Sequence, residues 1–262
     1  MKKSIRIYFL ILFTFITGAA TLFPFDSTES TGTDEKKTID IDFNVGLNVS
    51  FNSAQMKIGP KNTPNSLIYS YLALELDADI SDFLTLGLLA GYTDNHFKNP
   101  VDFERLPLSL GFDREKHNSV VVGMTAASEL SLFGDFSLAP RGEFIYFIPS
   151  KRESIITLPI VTGEAVSRCS FYQAAIELLG QYDGFSTVTV FFGPQLYFAG
   201  GDYKASETIK DITGAETLKF KQKNIFGVVG GINFDLGEHF NVDLKATLLS
   251  KTSIAARVFY VF

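Results

Sequence analysis

The sequence predicts an all-β chain, an antiparallel up-and-down transmembrane β-barrel of about ten strands, with eight or twelve as the alternatives. Three observations predict it. Ten segments alternate in polarity with period two, the period of a strand: Ile39–Phe51, Ile68–Ala78, Leu84–Tyr92, Val120–Leu132, Phe136–Ile148, Tyr172–Tyr182, Ser186–Phe198, Phe226–Leu236, Phe240–Leu248 and Ile254–Phe262. Every second residue of these segments gives 61 positions without an Asp, Glu, Lys or Arg, in a chain that is 20% charged. An uncharged band repeated on each strand is what a bilayer demands. Finally, the connections alternate between short and long, as they do between the two rims of a membrane barrel.

The chain opens on Met1-Lys2-Lys3-Ser4-Ile5-Arg6, an apolar run Ile7–Ile16, and then Thr17-Gly18-Ala19-Ala20. Positive, apolar and small-residue regions in that order predict a secretory signal peptide over residues 1–20, cleaved after Ala19 or Ala20. The run is shorter than the roughly 20 apolar residues of a membrane helix. Residues 21–37 are polar and turn-rich, and are expected to form a flexible periplasmic leader. The barrel domain is then residues 38–262. Losing Lys2, Lys3 and Arg6 leaves 20 basic against 29 acidic side chains, with no overall basic footprint for nucleic acid. Cys169 is the only cysteine, so no intrachain disulfide framework exists and a packing role is expected.

The segments span 9–13 residues, which suits the ~9–11 of a tilted membrane strand. At one end the turns are tight: 79–83, Phe133-Gly134-Asp135, Asp183-Gly184-Phe185 and Gly237-Glu238-His239. Gly and Asp supply the backbone angles such hairpins need. Each hairpin restarts on phenylalanine, at Phe83, Phe136, Phe185 and Phe240, a repeat of one hairpin unit. At the other end, 52–67, 93–119, 149–171 and 199–225 read as long loops, and 249–253 as a short one. Aromatic girdles are expected at both interfaces. The lower one holds the restart phenylalanines with Tyr182, Tyr260 and Phe262; the upper holds Phe51, Tyr92, Tyr146, Tyr172, Phe198 and Phe226. A soluble barrel would show the same alternation with the apolar face inward. The export signal, the one-sided loop lengths and the aromatic rings decide for the membrane.

Parity assigns an inward set of Asp40, Asp42, Glu75, Asp77, Glu129, Arg141, Glu143, Glu177, Asp235, Asp243, Lys245 and Arg257. Nine acids face three bases, and an unpaired buried charge is costly. Arg141 is expected near Glu129, Glu143 and Glu177, and Arg257 near Asp243 and Lys245. Inward Tyr69, Tyr71, Phe147, Phe191 and Tyr197 would fill the interior further, because a barrel near eight strands is just wide enough for side chains. Any pore that remains should prefer cations. Pro140 and Pro194 lie within strands, and each implies a bulge or a ladder gap. The apolar loop stretches Leu106–Leu110 and Ile155–Val161 could pack on each other over the mouth, fold into it, extend the strands as hairpins, or add two membrane strands.

Residues Ile254, Ala256, Val258, Tyr260 and Phe262 form an alternating strand that ends on an aromatic residue. This resembles the C-terminal assembly signal of Gram-negative outer-membrane β-barrel proteins, with Val258, Tyr260 and Phe262 as its core. The resemblance implies a cell outer-membrane location, recognition by the barrel-assembly machinery, and lipid and lipopolysaccharide as surroundings. Two shorter patterns resemble barrel enzymes. Asp94-Asn95-His96 resembles the Asp-x-His pair of omptin proteases, but the strand-borne pairs Asp40/Asp42 and Asp77/Asp79 fall at the opposite rim and Asp102/Glu104 on the same loop. His117-Asn118-Ser119 resembles the His-x-Ser of lipid A deacylases, yet parity turns Ser119 inward. His239 lies in a tight turn. No metal-ligand spacing, nucleophile elbow or phosphate loop is present, so no cofactor and no enzymatic role are expected.

The resulting expectation is a monomeric outer-membrane barrel that acts as a narrow, cation-preferring channel or transporter for small solutes. The alternative is a closed barrel that displays surface loops for adhesion or envelope interaction, and a protease or lipid A hydrolase comes third.

Overall fold

The backbone ladder closes on itself. The computed structural model describes residues 41–262 except 82–83, 108–115, 158–161 and 238. The signal peptide, the leader, Asp40 and Phe83 lie outside the described residues. Within them the chain forms β1 (Asp42–Ile58), β2 (Thr63–Ser81), β3 (Leu84–Phe97), β4 (His117–Ser128), β5 (Leu130–Phe133), β6 (Phe136–Pro149) and β7 (Arg152–Thr157). It continues through β8 (Thr162–Phe185), β9 (Val188–Ile209), β10 (Ile212–Gln222), β11 (Phe226–Asp235), β12 (Phe240–Leu248) and β13 (Lys251–Val261). Pairing is antiparallel and runs β1-β2-β3-β4-β6-β8-β9-β11-β12-β13, then returns from β13 to β1 between Asn44↔Val261 and Ala54↔Lys251. A sheet closed in this way has no edge whose N–H and C=O groups lipid would leave unsatisfied.

Polarity around this ring is inverted relative to a soluble barrel. Outward Leu74 (64% exposed), Leu88, Tyr92, Phe192, Phe226 and Ile254 are open, while inward Asn48, Glu75, Gln173 and Gln195 are buried. Phe136, Phe185, Phe240 and Phe262 stand exposed at the lower rim. There Phe136 meets Tyr182 at 4.8 Å between ring centroids, and Tyr260 meets Phe240 and Phe262 at 5.3 and 5.0 Å. Gly134 and Gly237 take positive φ (56° and 106°) in two of the tight turns, as short hairpins require.

Three of the four stretches read as long loops, 52–67, 149–171 and 199–225, are mostly strand. β1 and β2 continue to a turn at 59–62, β7 pairs with the start of β8, and β10 pairs with the end of β9. Above the membrane the outward face is no longer apolar, so the hydrophobic period that marks a strand disappears although the backbone pairing does not. This outer tier has its own circuit. β10 bridges β9 to β1 through Met56↔Gln222 to Ile58↔Phe220, bypassing β11, β12 and β13. β7 takes the place of β6, and across the remaining seam Arg152 donates to the Lys116 carbonyl. The outer wall is therefore β1, β2, β3, β4, β7, β8, β9 and β10, narrower than the ring of pairings below it. Of the two apolar loop stretches, Leu106 of the first is buried alongside Val101 and Phe103, and residues 155–157 of the second lie in β7, paired with the start of β8; 108–110 and 158–161 lie outside the described residues.

Both internal prolines sit at ladder gaps. The β8–β9 pairing skips Leu178 and Leu179 opposite Gly193 and Pro194. The β4–β6 pairing stops at Ala127↔Arg141, next to Pro140, and resumes as β5 at Leu130↔Leu138 in the same register. Pro140 has no N–H to give, and the break it opens contains Glu129. Glu129 is exposed there. Asp42 and Asp235 are likewise exposed at the lower rim.

Candidate functional site

The lumen is divided into two levels by the width of its wall. In the lower level, inward positions of β1, β2, β6, β8, β12 and β13 carry the charges. Arg257 on β13 reaches Glu75 on β2 (3.7 Å) and Glu143 on β6 (3.8 Å). Lys245 on β12 reaches Glu177 on β8 at 2.9 Å, and Gln195 donates to the same carboxylate at 2.7 Å. Asn48 donates to Glu75 at 3.0 Å. These contacts tie strands on different sides of the ring, which an interior only a few side chains wide permits. Asp243 lies opposite Arg257 in the ladder, as the sequence suggested, whereas Lys245 turns away to Glu177. Arg141 lies opposite Glu177 and sits over the Phe191 ring at 5.3 Å.

Below these pairs lies a cavity of about 230 Å³, lined among others by Asn44, Asp77, Asp79, Thr85, Asn241, Asp243 and the three cations. Asp79 accepts from Asn44 (2.8 Å) and Thr85 (2.5 Å). One side-chain oxygen each of Asn44, Asp77, Asn241 and Asp243 has no hydrogen-bond partner among the described residues. All four are acceptors, and Asp243 is only 5% exposed. Four acceptors of the cavity wall thus stand without a donor among the described residues.

The upper level is packed. Phe147 and Phe171 stack at 3.9 Å, and Tyr69 meets both edge-on at 5.4 and 5.3 Å. Both tyrosine hydroxyls, of Tyr69 and Tyr197, donate to Gln173 Oε1, and Gln173 Nε2 donates to Glu143 at 3.1 Å. Gln173 therefore joins the aromatic layer to the charge network beneath it. Lys251, buried, lies over the Tyr197 ring at 4.8 Å and donates to Asn52. Higher still, Phe97, Phe103 and His117 contact Tyr203 at 5.3–5.5 Å. An eight-segment wall leaves room only for such side chains. Sequence reasoning singled out Tyr69, Phe147 and Tyr197 by parity but missed Phe171, Tyr203 and Gln173. Phe171 and Tyr203 fell in stretches read as loops, and Gln173 carries no charge to draw attention.

The short enzyme-like patterns come apart. Asp94 pairs with Lys116 (3.3 Å) and accepts from Ser70. It alternates with the inward residues Thr93 and Asn95, so it belongs to the outer face. His117 and Ser119 both point inward and bond to other residues, Tyr203 and Asn95 respectively. Among the described residues no group of three His, Cys, Asp or Glu side chains could hold a metal ion.

No protein-family model and no curated protein sequence matches the chain. Solved structures do. An outer membrane channel from Pseudomonas putida F1 aligns at 12% identity over 89% of this chain and 100% of that one, with a TM-score of 0.41. The outer membrane protein OprG from Pseudomonas aeruginosa aligns at 11% over 84% and 95%, with a TM-score of 0.39. The translocator domain of the autotransporter NalP from Neisseria meningitidis aligns at 12% over 84% and 88%, with a TM-score of 0.38. On its own ring of pairings and its lipid-type outer face, the chain has the architecture of a transmembrane β-barrel.

Two outcomes follow from this geometry. Lys245→Ala leaves Glu177 buried and uncompensated, and should lower stability to urea in vesicles by about 3 kcal/mol, with Lys245→Met/Glu177→Met recovering most of it. His117 lies above the membrane-spanning part of β4; burial, then the Arg152 charge, lowers its pKa from 6.5 to about 4. The unfolded imidazole takes its proton near 6.5 and the folded one only near 4, so stability is full above 6.5 and falls as pH drops through that window. The protection factors of residues 98–107, the intrinsic exchange rate at each pH divided by the observed rate, should therefore fall between pH 7 and pH 5, and His117→Gln should abolish that dependence.

Proposed function

We propose that the protein is an integral outer-membrane barrel, inserted by way of the Val258, Tyr260 and Phe262 strand, that passes small solutes and prefers cations. The observation that carries this reading is the oxygen-lined lower cavity. Five acids line it, Asp77, Asp79, Glu143, Glu177 and Asp243, against three cations, Arg141, Lys245 and Arg257. An acidic ring of this kind attracts cations and repels anions. The aromatic layer above is the closed end of the passage, and conduction requires it to yield.

A specific observation also favours the closed-scaffold reading. The rings of the sealing layer, Tyr69, Phe147, Phe171 and Tyr197, stand on β2, β6, β8 and β9; Phe103, above them, comes from a loop. Planar-bilayer recording of the refolded protein separates the two. The channel reading expects small cation-selective steps, a selectivity at least halved in Asp77→Asn/Asp243→Asn, and a larger conductance in Phe147→Ala/Phe171→Ala. Silence from both the wild type and the Phe147→Ala/Phe171→Ala barrel, with the fold intact, establishes the scaffold instead.

A further inference from the structure

The outer face of β8, β9, β10 and β1 changes character at the upper girdle. Gly200 on β9 pairs with Tyr172 on one side and with Lys221 on the other, so Lys221 stands at the level of the girdle tyrosine. Lys221 is in turn opposite Lys57 on β1. Two outward positions further along β9, Lys204 lies opposite Arg168 on β8. Between these pairs Lys219 lies opposite Asp202. Lys204, Lys219, Lys221 and Arg168 are exposed and Lys57 is half-exposed, while Met56, Leu218, Phe220 and Tyr203, which alternate with them, are buried inside.

Like charges directly opposite one another in a ladder are destabilising, and here there are two such pairs, one on each side of the β9–β10 ladder. The single carboxylate in the patch, Asp202, cannot neutralise five cations. The whole chain is acidic, with a formal net charge of −6, so the cluster is not a reflection of composition. Its height matters as much as its sign. It begins where the apolar belt ends and the aromatic residues mark the interface, the depth at which lipid headgroups lie. Basic side chains at that depth bind anionic headgroups, and multiple phosphate oxygens suit a set of lysine ammonium groups with one guanidinium.

We propose that Lys57, Lys204, Lys219, Lys221 and Arg168 form a binding face for the phosphate groups of an outer-leaflet lipid. The occupant is the lipid and not a free anion, because the patch is continuous with the lipid-covered belt and a bound headgroup keeps its acyl chains on that belt. The anion offsets the repulsion within the two like-charged pairs, and it fixes the depth of the barrel on the side where β10 joins β1. This proposal does not depend on whether the lumen conducts.

Native mass spectrometry of the refolded full chain in detergent tests it, with diphosphoryl lipid A, phosphatidylcholine and inorganic phosphate as the probes. The wild type should retain diphosphoryl lipid A, and Lys57→Gln/Lys204→Gln/Lys221→Gln should retain at least tenfold less, each lysine being worth about fivefold near an anionic surface. All three side chains project outward, and a preserved heat-dependent gel shift verifies that the variant is folded. Lys61→Gln/Lys98→Gln/Lys210→Gln removes the same charge from the outer loops and should leave retention unchanged. Equal retention by the wild type and the first triple variant overturns the proposal. So does phosphatidylcholine held as well as lipid A, or inorganic phosphate that competes at equal concentration, which would make the patch a general anion site.

Discussion

The structure depends on one constraint: every backbone group facing lipid must find its partner within the sheet. The β13–β1 pairing meets it, and most other features follow. Closure forces alternate residues to point inward and outward around the ring, so an uncharged outer face entails an inner face that holds whatever polarity the sequence contains. That inner face then has to satisfy its charges without bulk water. Arg257 with Glu75 and Glu143, and Lys245 with Glu177, do this across the lumen, and Gln173 carries the network up to the tyrosines.

Width is the second determinant. β10 pairs with β9 on one side and with β1 on the other, and the wall narrows at the height where β11, β12 and β13 end. Below that level the interior has room for a cavity and its charged lining; above it, aromatic side chains meet in the middle. The change from a polar vestibule to a sealed aromatic layer is thus a consequence of strand topology, with sequence choosing side chains that fit each tier. Gln222 marks the fork, its amide donating to the Ser250 and Asn224 carbonyls below β10.

What the sequence disclosed follows the same physics. The membrane strands were legible because lipid imposes a period-two signal on one face, and the lower turns because Gly and Asp punctuate them. The outer tier was not: β7, β10 and the extensions of β1, β2, β8 and β9 have water on one side and a packed interior on the other, and their outward charges erase the pattern. Of the charged lumen, parity located Glu75, Asp77, Arg141, Glu143, Glu177, Asp243, Lys245 and Arg257, but it could not say which would pair. Lys245 chose Glu177 over Arg257's neighbourhood because the partner lies across the barrel, a distance that no single-strand argument measures. Glu129 lies in the ladder gap beside Pro140, whose missing N–H interrupts the pairing of 128–129 with β6.

The most direct test of the account is which face meets lipid. The chain has no tryptophan, so a single one reports without background. Leu74→Trp, on the apolar face, and Tyr71→Trp, on the inner face, are refolded into vesicles of bilayer lipid brominated along the acyl chains. The account predicts strong quenching at position 74 and almost none at position 71. Quenching at 71 with none at 74 would mean that the apolar face is the interior of a soluble barrel, and would contradict it.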